Sequence, residues 1–116
     1  MPSRVVIYHN PKCSKSRQTL DLLRGRGVEP VIVEYLKTPP SADELRRLLG
    51  LLGLTPRQLL RAKEAAEAGI DAGALDDDAL IAALSAHPRA LERPIVVVGE
   101  RAALGRPPEA VLALLD

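Results

Sequence analysis

The chain uses cysteine once, tryptophan and phenylalanine never, and tyrosine only at Tyr8 and Tyr35. Each shortage excludes something. With so few aromatic rings there is no platform on which bases stack, the commonest design for gripping a single strand. Sixteen Lys and Arg stand against fifteen Asp and Glu, for a net charge of +1, and the twelve Arg and four Lys are scattered instead of gathered into one stripe. Nucleic acid is therefore not an expected partner. The opening MPSRVVIYHN holds four consecutive apolar residues, short of a signal-peptide core and far short of a membrane span. A soluble, cytoplasmic chain with no membrane partner is expected. A lone cysteine closes no internal disulfide, which argues against a secreted scaffold and leaves a buried thiol, a reactive thiol or an intermolecular bond. Together with His9 and His87 it falls short of the four ligands of a structural zinc site, so no metal is expected.

What is present reads as one domain over residues 1–116, a length that buries a real, here aliphatic, core. Residues 4–8 (RVVIY) are β-branched and aromatic and run into His9-Asn10-Pro11, the pattern of a buried strand and a turn. From Ser14, Thr19, Leu20 and Leu23 fall at helical spacing until Gly25 and Gly27. Residues 31–35 (VIVEY) form a second strand, and the short helix between them predicts a parallel βαβ unit.

Residues 41–87 read as mostly helical. Ser41 and Glu44 make an S-x-x-E capping box, Thr55-Pro56 opens a short helix, and Asp76-Asp77-Asp78 places acid at a helix start. His87, at a helix end before Pro88, is expected to cap it, and Arg46-Arg47 to lie on a solvated face. Residues 94–104 form a hairpin about Gly99-Glu100, and Pro107-Pro108 opens a last helix with Val111, Leu112 and Leu115 on one face. The order β-α-β, helical insertion at about 41–90, β-β-α is that of an α/β thioredoxin-like mixed sheet.

Cys13 thus follows a strand and stands at the start of the first helix, where unpaired amides and the macrodipole favour negative charge. A thiol so placed ionises more readily. Lys12, Lys15 and Arg17 add positive potential, and His9, four residues earlier, either shapes the loop or contributes charge. The same amides suit an oxyanion. Two well-known chemistries lack their partner residue: the position three beyond Cys13, where a dithiol oxidoreductase keeps its resolving cysteine, is Ser16, and the position six beyond, where a C-x5-R phosphatase keeps arginine, is Thr19. A group transferred to Cys13 must be removed by an external thiol.

The segments HNPKCSKSRQTL, LLR at 59–61, ERPIVV at 92–97 and GRPPEAVL at 105–112 resemble, in this order and over essentially the whole chain, the glutaredoxin-coupled arsenate reductase family. The resemblance implies a thioredoxin-like fold with a helical insertion and an enzyme that reduces arsenate to arsenite. It implies Cys13 as the nucleophile, Arg61, Arg93 and Arg106 around the oxyanion, and His9 and Ser16 in support of the thiolate. Glutathione is the implied co-substrate and glutaredoxin the protein partner; no bound cofactor is implied. Pro94 matches the cis proline that such folds place opposite the active cysteine. A monomer is expected. Two other readings stay open: a monothiol glutathione-linked oxidoreductase with another substrate, which has less need of three arginines, and a non-enzymatic redox-sensing transcription regulator, against which the missing C-x-x-C pair counts.

Overall fold

A computed structural model of the chain describes residues 4–115. The described residues divide into two compact units, one formed by residues 4–38 with 93–115 and the other by residues 39–92.

The first unit is built on a four-stranded sheet of order β2-β1-β3-β4. Strand β1 (Val5–His9) leads through a turn into helix α1 (Ser14–Gly25) and then β2 (Val31–Glu34), which pairs with β1 in parallel, Val6 opposite Val31. β3 (Ile95–Val98) runs antiparallel to β1, with Tyr8 opposite Ile95, and β4 (Arg101–Leu104) returns antiparallel to β3, with Ile95 opposite Leu104. The mixed sheet and its crossover are those expected of a thioredoxin-like arrangement.

Strand periodicity decides what is buried. Ile7 and Val96 face each other across β1 and β3 and meet Leu20 and Leu23 of α1, with Val111 and Leu114 from the C-terminal segment. Val5, Val98 and Ala103 pack at the margin of the same cluster. Each fully buried aliphatic side chain here contributes about 1.5–3 kcal/mol. β2 is an outer strand, and Val31 and Ile32 remain 39% exposed.

One expectation changes. The last helix, Pro108–Leu115, is a 3-10 helix, and its buried residues are Pro108, Val111 and Leu114. With three residues per turn, positions three apart share a face, so Leu114 takes the core position expected of Leu112 and Leu115, which are only partly buried.

The second unit is helical: α2 (Ala42–Leu52), a 3-10 turn at Pro56–Leu59, α3 (Ala62–Glu67), α4 (Asp77–Ala86) and a 3-10 turn at Pro88–Ala90. Its starts are capped. Ser41 Oγ accepts the Glu44 amide at 3.1 Å and Asp76 Oδ1 the Ala79 amide at 2.8 Å. At Thr55 and Gln58 a reciprocal box closes, each side chain accepting from the other's amide. His87 sits at the C-terminal end of α4, where its backbone amide donates to Ala83 O at 2.8 Å. Arg46 pairs with Asp43 and Asp78 on an exposed surface. Leu45, Leu48, Leu49, Leu80, Ile81 and Leu84 supply the interior.

Candidate active site

Cys13 is the N-cap residue of α1, in extended conformation, with no side-chain capping bond. Its amide donates to Asn10 O at 3.0 Å and its carbonyl accepts from Arg17 N at 3.0 Å. The residue is 8% exposed and does not belong to the Ile7–Leu23–Val96 cluster. The thiol is thus free and buried at the start of α1, outside that cluster. The loop is held by its own polar groups: Asn10 Oδ1 accepts the Lys12 amide at 3.0 Å, Arg17 Nη1 donates to Pro11 O at 2.9 Å, and Ser16 Oγ accepts the Asn10 amide at 3.0 Å.

His9 and Ser16 are brought together. His9 Nδ1 lies 2.6 Å from Ser16 Oγ, and both side chains are buried. Burial lowers the imidazole pKa from its ordinary 6.5; Glu34 opposes the shift, while Arg24 and Arg17 add to it. Of the two roles open to His9, charge is the one this shift disfavours, and the short contact with Ser16 is in keeping with the other.

The sheet register assembles the rest. Continuing the pairing by one residue sets His9 opposite Pro94 and Pro94 opposite Gly105, and the Gly105 amide does donate to Pro94 O at 2.9 Å. The end of β1, the start of β3 and the end of β4 thus share the sheet end that Cys13 follows. Both arginines sit there. Arg93 precedes a cis proline, Pro94, and its Nε and Nη1 are buried without a hydrogen-bond partner. Arg106 precedes a second cis proline, Pro107, and its Nε donates to Arg93 O at 2.9 Å.

Arg61 belongs to the second unit, as N-cap of α3. Its guanidinium pairs with Glu64 at 3.0 Å and Glu92 at 3.3 Å, and its backbone is fixed by Arg61 N to Ala90 O and Glu92 N to Leu59 O. Two carboxylates already answer its charge. Among the described residues no group of three or more His, Cys, Asp and Glu is placed to hold a metal ion, and no helix is long and apolar enough to cross a membrane.

Sequence reasoning did not single out Asn10, whose side chain and backbone anchor the cysteine loop, or Gly105; an Asn two residues before a loop amide is a known Asx-turn signal.

The sequence profile of the ArsC family matches residues 8–114. The chain belongs to the ArsC family. Its relatives in the family include YfgD, an uncharacterized protein of Escherichia coli K12, 49% identical with 99% of each chain covered. An arsenate reductase of Neisseria meningitidis is 46% identical, covering 96% of this chain and 97% of its own. The solved structure of an arsenate reductase from Vibrio cholerae superposes with a TM-score of 0.93 at 51% identity, over 99% of this chain and 100% of that one.

Proposed function

We propose that this ArsC-family chain is an arsenate reductase, with Cys13 as nucleophile and Arg93 and Arg106 as the oxyanion-binding groups. The observation that carries the reading is the Arg93 guanidinium, two of whose nitrogens are buried without a partner at the sheet end that Cys13 follows. Buried donors left without acceptors are costly, and a tetrahedral oxyanion supplies the missing acceptors. Relatives named as arsenate reductases support arsenate as that anion.

The electron count then fixes what else is needed. Attack of the Cys13 thiolate on arsenic forms an S–As bond and expels one oxygen as water after protonation, leaving arsenic as As(V). Reduction to As(III) takes two electrons, and two thiols supply them by becoming one disulfide: arsenate plus two thiols gives arsenite, a disulfide and water. The chain holds one cysteine, so the second thiol comes from another molecule. Glutathione fills that role by attacking the Cys13 sulfur as arsenite departs. Glutaredoxin then takes glutathione from the mixed disulfide, restoring the Cys13 thiol. With His9 Nδ1 carrying the proton, the ring donates to Ser16 Oγ and leaves the serine hydroxyl hydrogen uncommitted; the opposite tautomer uses that hydrogen up.

Purified protein with glutathione, glutaredoxin and glutathione reductase is expected to oxidise NADPH on addition of arsenate, and Cys13→Ser to be inactive. Absence of arsenate-dependent oxidation in the complete system overturns the reading. Activity with thioredoxin alone would keep the substrate and replace the thiol donor.

A further inference from the structure

Gly105 is not glycine because of its backbone angles. The positive-φ glycines among the described residues are Gly27, Gly53, Gly69 and Gly99. Gly105 is instead constrained by space: a methyl group there would lie 2.5 Å from Thr19 Oγ1, 2.7 Å from Pro94 Cγ and 3.1 Å from Pro94 Cδ. Neither neighbour is loose. Thr19 is fully buried, with Oγ1 donating to Lys15 O at 2.8 Å, and Pro94 is buried at the start of β3, its carbonyl taken by the Gly105 amide at 2.9 Å. Arg106 Nε adds a second link of the same sense, donating to Arg93 O at 2.9 Å. Residues 105–106 thus donate two hydrogen bonds to the carbonyls of residues 93–94, and they press on α1 six residues beyond its N-cap Cys13.

We infer that Gly105 is a positioning residue for oxyanion binding: its missing side chain lets the Arg106 segment close against Thr19 and Pro94, and so sets both arginines relative to the helix that carries Cys13. The inference rests on the arsenate reading above. At contacts of 2.5 and 2.7 Å something must shift, and misplacement of about an ångström at a site costs up to about a hundredfold in rate, so a loss of that order is expected in oxyanion binding.

The test follows the rate at which iodoacetamide alkylates Cys13 in the full chain at rising arsenate concentration. Gly105→Ala is expected to raise the half-protecting concentration about ten- to a hundredfold while leaving the arsenate-free rate-versus-pH profile unchanged. In Thr19→Ala/Gly105→Ala the shortest contact is gone, so its half-protecting concentration is expected to fall between those of Gly105→Ala and Thr19→Ala. Failure of arsenate to protect the wild-type protein overturns the arsenate reading itself. Protection of wild type together with equal protection of folded Gly105→Ala overturns the positioning role alone, as does a double variant that binds no better than Gly105→Ala. A shifted arsenate-free profile also overturns it, since the disturbance then reaches α1. Should Gly105→Ala not fold, the double variant is compared with Thr19→Ala: weaker protection supports the role, equal protection overturns it.

Discussion

A guanidinium with two buried, unanswered nitrogens is a liability to the free protein, and Arg93 makes that liability measurable. Replacing it by Met removes two unsatisfied donors, each worth about 1–3 kcal/mol, and keeps an unbranched apolar stem. Arg93→Met is expected to melt at a higher temperature than wild type in oxyanion-free buffer. The same change is expected to weaken arsenate binding by about 1.5–3 kcal/mol, the scale of a hydrogen bond to a charged group, read as the half-protecting arsenate concentration for Cys13. A variant that melts lower would mean that the guanidinium is satisfied in the free protein. His9 gives a second test. Its folded pKa is lowered by burial below the ordinary 6.5, so between the two values the unfolded chain binds more protons and the fold loses stability as pH falls. Above the ordinary value the term vanishes. Thermal melts of wild type between about pH 7 and pH 5 are expected to decline more than those of His9→Asn, whose amide stays neutral throughout. Parallel declines would remove His9 as the cause.

At the level of elements, caps and periods explain both the successes and the misses of sequence reasoning. Thr55, Ser41 and Asp76 announce helix starts because their short side chains accept amides that the helix leaves over. Asp76→Ala is therefore expected to lower stability by about 1 kcal/mol in denaturant titration, with arsenate turnover unchanged. A loss of activity in folded Asp76→Ala would contradict the confinement of the cap to local structure. The parallel β1–β2 pair was legible from the short helix between its strands and the β3–β4 hairpin from Gly99-Glu100. The 3-10 form of the last helix was not, because in AVLALL nearly every position is apolar and a period of three cannot be told from 3.6. The burial of His9 and of the Arg93 Nε and Nη1 atoms was hidden for a different reason: desolvation is a property of what surrounds a side chain, and nothing in ERP or YHN records it. The cis form of Arg106–Pro107 was equally invisible, since the dipeptide reads alike in either isomer.

For the molecule as a whole, the first unit hangs on the central pair β1 and β3, where Ile7 and Val96 are fully buried opposite each other. Ile7→Ala is expected to cost about 2–5 kcal/mol. A cost under 1 kcal/mol, by chemical denaturation, would show that the site end of the sheet is held chiefly by its loops. The outer strand β2 carries the opposite kind of consequence. Its free edge offers unpaired amides and carbonyls beside exposed Val31 and Ile32, a template for stray chains in a concentrated or partly melted sample. That edge is only four residues long, and Pro30, which has no amide hydrogen, stands immediately before it. Anyone lengthening this strand for engineering, or replacing that proline with valine, should look for fibrils before looking for lost catalysis.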